Sequence, residues 1–305
     1  MAHIALKVDV DTWRGTREGV PALVALLHRL QAGATFLFSL GPDHTGRAIR
    51  RAFRPGFFSK VSRTSVVEHY GVRTLLYGTL LPGPDIGRRE AHTLREVARC
   101  GFETGVHTWD HVRWQDGVAQ ADEAWTRREL QQATQRYAEI LGQAPLVHGA
   151  AGWQMNEAAY RLEAELGYRY ASDGRGSGPY IPVDAAGLPL GPPQWPTTLP
   201  TLDELLGLEG WEAHNVEQAL LQRTAHTASD VHVYTLHAEL EGQKLLPAFE
   251  RLLHGWRAQG HTLVSLGQMV QQHAGQPLPL CLAAVGTVPG RSGTLAIQGA
   301  VYTPR

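Results

Sequence analysis

Lys7-Val8-Asp9-Val10-Asp11-Thr12 closes the first apolar run of the chain, and Gly105-Val106-His107-Thr108-Trp109-Asp110-His111 closes a later one. Each follows a strand-like segment, at 3–10 and 102–106. The first stretch offers two carboxylates one residue apart. The second offers two imidazoles at i and i+4, which share a face on a helical turn. One carboxylate and two imidazoles make a three-ligand metal site with open positions, as in a catalytic rather than a structural centre. The other carboxylate is then free to take a proton from a water that the ion has acidified. Taken singly the signals are weak, because Asp is common at strand ends and helix caps and the chain has 15 histidines. Their position gives them weight, since α/β folds place chemistry at strand C-terminal ends.

Working outward, strands and helices alternate. Leu23, Leu26, Leu27 and Leu30 form an apolar stripe that predicts a helix over 18–31, with Pro21 tolerated in its first turn. Residues 34–40 are a near-continuous apolar run, as in a strand buried on both faces. Further helices are expected at 88–100, 119–141, 155–166, 215–228 (capped by Asn215), 243–259 and 266–273, several stopped by glycine. Strands are expected at 146–149, 168–171, 194–198, 231–236 and 261–264. This alternation argues a parallel barrel or a doubly wound sheet. Residues 174–193 read as a Gly/Pro-rich loop. The expected organisation is one barrel over 1–275, an insertion at 41–87 and an irregular extension at 276–305. Asp9, Asp11, His107, the 150–153 loop, Asp173 and His237 all fall just past expected strand ends, which meet on one face of a barrel.

Composition narrows the classes. A net charge of −1 offers no global field for nucleic acid. Cys100 and Cys281 show no paired spacing, so a disulfide framework is not expected. No signal segment and no membrane-spanning apolar run stand out, which predicts a soluble, cytoplasmic protein. Nothing in the sequence sets an oligomeric state. The 41–87 segment interleaves Arg47, Arg50, Arg51, Arg54, Lys60 and Arg63 with Ile49, Phe53, Phe57, Phe58 and Val61. Such a segment suits the headgroup region of an anionic bilayer; the plain alternative is packing on the barrel or a dimer contact.

Asp-x-Asp on the first strand, His-Thr-x-x-His, a later strand leading to Asp173, and Leu236-His237 together resemble the motifs of the polysaccharide deacetylases, the NodB-homology group or carbohydrate esterase family 4. The order matches over 1–270. Residues 9–21, 34–43, 82–89, 150–153 and 234–242 are similar to a deformylase branch of that family, which acts on undecaprenyl-phosphate 4-deoxy-4-formamido-L-arabinose in lipid A modification and polymyxin resistance. The resemblance implies a distorted (β/α)7 barrel and one divalent ion (Zn, Mn, Co or Ni) held by Asp11, His107 and His111. It implies Asp9 as general base and His237 as general acid, with Asp173 orienting His237. Its third motif usually carries an Arg that pairs with the base. The 150–153 loop has none, so Arg14 or another nearby Arg is the expected substitute. A backbone N–H near Gly152–Trp153 is expected to help hold the oxyanion. Trp109 or Trp153 is expected to narrow the acyl pocket. Arg14 and Arg17, in the loop after the first strand, are expected at the substrate phosphate. The implied partners are a lipid-linked amino sugar and the cytoplasmic face of the inner membrane.

Three other readings compete. One is deacetylation of another N-acylated sugar or polysaccharide. A second is an aspartyl phosphatase, since Asp9-Val10-Asp11-Thr12 also fits that superfamily's first motif; no suitably placed Lys or acidic pair follows, and the histidines would be idle. The third is a non-catalytic binder of lipid-linked sugars, against which both carboxylates and all three histidines stand.

Overall fold

The structure is a computed structural model that describes residues 2–48, 71–225 and 229–304. The chain opens with β1 (His3–Val10), then α1 (Val20–Arg29) and β2 (Thr35–Ser39). It continues through α2 (Ala91–Arg99), β3 (Glu103–Thr108), α3 (His111–Gly117), α4 (Glu123–Leu141) and β4 (Val147–His148). Next come α5 (Glu157–Glu165), β5 (Tyr170–Ala171), β6 (Ile181–Val183), α6 (Glu217–Thr224) and β7 (Val231–His237). The chain closes with α7 (Leu246–Ala258), β8 (Thr262–Val264), α8 (Leu266–Gln272), β9 (Leu280–Gly286) and β10 (Leu295–Val301).

Seven strands form one parallel sheet in the order β5-β4-β3-β2-β1-β7, with β8 also on β1. The sheet curves into a half-barrel wrapped by helices. Its centre is β1, buried along almost its whole length as a central parallel strand must be. The register along β1 and β7 sets Asp9 opposite His237. That alignment brings the end of the first strand and the end of the seventh to one place. The main core lies between sheet and helices and includes Ile4, Phe36, Leu94, Phe249 and Trp256.

The helices begin where local chemistry allows. Asp122 caps α4 by accepting the Trp125 N–H, and Gly142 ends it in the left-handed conformation that glycine tolerates. The expected start at 119 fails because 118–120 forms a separate 3-10 turn. Asn215 does not cap α6; it sits in the preceding turn, where its side chain accepts the Glu212 N–H. Residues 194–198 form isolated bridges rather than a strand.

The extension expected to be irregular holds two strands among its described residues, 276–304. β9 and β10 pair antiparallel, and β9 adds β6 in parallel to make a second, three-stranded sheet. The supposed loop at 174–193 thus contains a strand. These strands owe their order to partners far along the chain, which local composition does not reveal.

Candidate active site

Asp9 ends the buried core of β1 and Asp11 follows it in the loop. Glu239 shapes that loop. It accepts the N–H groups of Asp11 (3.1 Å) and Thr12 (2.8 Å) and the Thr12 hydroxyl (2.8 Å). A Cβ at Gly15 would stand 1.9 Å from Glu239 Oε1, so any side chain there would have to displace the Glu239 carboxylate.

His107 and His111 do not share a helical turn as the sequence spacing suggested. His107 lies within β3, while His111 opens α3, whose N-cap is Asp110. The cap turns the chain sharply enough that the two rings still face each other, with centroids 5.3 Å apart. His107 Nε2 lies 3.2 Å from Asp11 Oδ1, and His111 Nε2 lies 3.4 Å from Asp11 Oδ2. Asp11, His107 and His111 are one of two groups of potential metal-binding side chains among the described residues.

The donor set fits a divalent ion on three counts. His107 Nδ1 lies 2.6 Å from the Gly149 carbonyl oxygen, which sets its tautomer and turns Nε2 toward the group. His107 Nε2 and Asp11 Oδ1 are buried yet have no hydrogen-bond partner in the structure. Orphaned buried polar atoms are costly unless something else binds them. Burial opposes ionisation of Asp11, but His111, His107 and His237 outweigh it and hold its carboxyl well below the usual range.

The base and acid candidates flank this group. Asp9 is 3 % exposed; its Oδ1 has no hydrogen-bond partner and stands 3.8 Å from His107 Nδ1. The cation beside Asp9 is Lys7, with Nζ 3.1 Å from Oδ2. Arg14 is not that cation: its Nε pairs with Glu18 one turn on, along the π-helical turn ahead of α1. His237 is partly exposed at the end of β7. Its backbone N–H donates to Glu241 (2.8 Å), and its ring meets Trp153 edge-on at 6.4 Å. Glu241 is pushed up to about 7 by burial, with His237 pulling the other way.

Asp173 does not orient His237. It lies 2.9 Å from His148 Nδ1, accepts the Ala150 N–H (2.9 Å), and takes a bond from Gln194 (2.8 Å). His148 also meets Glu163 at 2.6 Å, and all three ionisable groups are fully buried. Together they are the second potential metal-binding group. The short His148–carboxylate contacts read instead as a charged network tying β4, α5 and the 150–153 loop together.

In that loop Gly152 and Trp153 both have positive φ, 61° and 53°. Trp153 is strained there. Its N–H donates to Ala150, so it is not free to hold an oxyanion. Trp153 Nε1 donates to Thr197, and the ring is flanked by Lys7, Arg175 and Arg291 at 5.6, 5.1 and 4.5 Å. Trp109 packs on the main core under Arg136, with Gly41 against its ring, so it is not the pocket-narrowing side chain. Arg17 bonds Glu18 and stacks on Trp13, which Arg89 also approaches. Sequence reading missed Lys7 and Glu239. The available signal was a lysine inside a mostly apolar strand, two residues before Asp9, and a glutamate two residues past His237.

A parallel half-barrel with carboxylates and histidines gathered at its strand ends has the parts of a metal-dependent hydrolase. The chain belongs to the polysaccharide deacetylase family, which it matches over residues 2–171. It is 34% identical over 301 residues, covering 99% of this chain and 96% of the other, to a probable 4-deoxy-4-formamido-L-arabinose-phosphoundecaprenol deformylase ArnD of Shewanella sediminis (strain HAW-EB3). It is 29% identical over 285 residues to the Wigglesworthia glossinidia brevipalpis protein of the same name, covering 93% of this chain and 98% of that one. Its fold matches the crystal structure of a polysaccharide deacetylase homologue from Mycobacterium smegmatis, with TM-score 0.62 and 16% identity over 94% of this chain and 96% of the other.

Proposed function

We propose that this protein removes the formyl group from a 4-formamido-L-arabinose carried on undecaprenyl phosphate, giving formate and the free 4-amino sugar. The supporting observation is the gathering of Asp9, Asp11, His107, His111 and His237 at one rim of a chain that matches such deformylases almost end to end. Asp11, His107 and His111 would hold one divalent ion. When bound, the ion supplies Lewis-acid polarisation of the formamide carbonyl and lowers the pKa of a water.

The remaining work falls to the chain's own groups. Asp9 Oδ1, which has no hydrogen-bond partner, takes the water's proton as the water oxygen bonds to the formyl carbon. His237 gives a proton to the departing nitrogen as the C–N bond breaks. Asp173 supports the site indirectly, by fixing Ala150 and so the 150–153 loop. Trp153, beside His237, limits the room next to the reacting carbon. Gly152 contributes to the same wall. Arg17, with Arg14, lies in the π-helical turn that leads into α1, where the sugar phosphate is placed in this reading.

A lipid-linked substrate puts the reaction at a membrane surface. None of the described helices is long and apolar enough to cross a membrane. The basic and aromatic residues proposed for surface contact lie mostly in 49–70, outside the described residues; Arg47 bonds the Gly78 carbonyl. The testing experiment offers matched formylated and acetylated lipid-linked sugars, and an acetylated chitooligosaccharide, to metal-loaded protein on anionic and neutral vesicles. Formate release fastest, and faster on anionic vesicles, is expected. Acetate release from the oligosaccharide outrunning it refutes the substrate, and equal rates on both vesicles refute the surface.

A further inference from the structure

Lys7 is an anomaly in β1. It sits in a central parallel strand and is fully buried. A buried ammonium is disfavoured unless it is paired and hydrogen-bonded. Successive side chains of a strand alternate between faces, so Lys7 and Asp9 share one face of β1. That face holds the site.

The space around Lys7 is closed on three sides. Its Nζ lies 3.1 Å from Asp9 Oδ2. The same nitrogen lies 5.6 Å from the centre of the Trp153 ring. A Cβ at Gly149 would come within 2.8 Å of Lys7 Cε, so the missing side chain there is what admits the lysine stem. Gly149 is also the residue whose carbonyl meets His107 Nδ1.

Asp9 therefore has two unlike oxygens. Oδ2 is taken by Lys7, while Oδ1 is buried, without a hydrogen-bond partner, and on the side of His107. A carboxylate free to rotate would present either oxygen and lose the water's proton direction. One anchored by a single oxygen presents only the other.

We propose that Lys7 is the positioning residue of the general base: it pins Asp9 by Oδ2 and so fixes Oδ1 as the proton-accepting atom. This rests on Asp9 being the base. In this role Lys7 acts through Asp9, the one acid among the described residues that its ammonium is paired with. Misplacing a reacting group by about 1 Å costs on the order of 10²-fold in rate, and a loss of that size is the expectation for Lys7→Met.

The test is a double-substitution cycle with metal content and thermal melting measured alongside kcat and KM. Lys7→Met should keep stoichiometric metal and a KM within about threefold, while kcat falls roughly 10²-fold. Lys7→Arg, which keeps charge and donors, should recover most of that loss. Lys7→Gln stands in if Lys7→Met fails to fold. Because Lys7 acts through Asp9, Lys7→Met should cost almost nothing further in an Asp9→Asn background. Wild-type kcat in Lys7→Met and Lys7→Gln overturns the proposal, as does an equal loss in both backgrounds. Full turnover by Asp9→Asn alone would instead sink the base assignment beneath it.

Discussion

At the scale of single residues, the site shows how far spacing alone carries. Asp9, Asp11, His107, His111 and His237 were legible because each follows an apolar run, and the fold brings them together. The i,i+4 spacing of the His pair points to one helical turn, yet one ring is on a strand and the other on a helix, joined by the Asp110 cap. Asp173 was misassigned because nothing in the sequence ties it to His148. Lys7 and Glu239 escaped because lysine and glutamate usually mean exposure, and burial depends on partners far along the chain. Glu239 supports a prediction. Gly15→Ala drives a Cβ into Glu239, which then releases the N–H groups of Asp11 and Thr12. Loss of such outer support typically costs about 10- to 100-fold in metal affinity. Titration with a competing chelator should show a drop of that order; an unchanged affinity would remove Glu239 from the support of Asp11.

At the scale of elements, β1, β2, β3 and β7 were readable from apolar runs, whereas β6, β9 and β10 were not. A buried parallel strand advertises itself by composition. A partly exposed strand such as β9 or β10 is ordered by its neighbour and carries little local signal. The tail matters to the site, since Arg291, between β9 and β10, bonds Glu204 and reaches the Trp153 ring. The His148 network joins β4 to α5 and makes a pH prediction. Burial works against the His148 proton, but Asp173 and Glu163 outweigh it and push the ring from 6.5 up to about 10. The folded chain thus binds this proton more tightly than the unfolded one. The stabilisation is full below about 6.5, declines as pH rises, and is lost through about 10. The gap in melting temperature between wild type and His148→Gln should therefore shrink steadily from pH 7 to pH 10. A constant gap would show that the imidazole is not held protonated.

At the scale of the whole molecule, the parallel half-barrel gathers residues from the first and seventh strands, and from β3, at one rim. The second sheet, formed by β6, β9 and β10, joins in through Arg291, between β9 and β10, and through Arg175, which bridges to β10; both stand against Trp153. The proposed division of labour at that rim has Asp11, His107 and His111 holding an ion and Asp9 moving the proton. The most direct measurement determines metal stoichiometry and single-turnover formate release on the same preparations of wild type, His107→Ala and Asp9→Asn. The account predicts that His107→Ala loses both metal and turnover. It predicts that Asp9→Asn keeps one ion per chain and loses turnover, because an amide cannot accept the water's proton. An Asp9→Asn protein that loses its ion, or a His107→Ala protein that keeps a full complement, would contradict it.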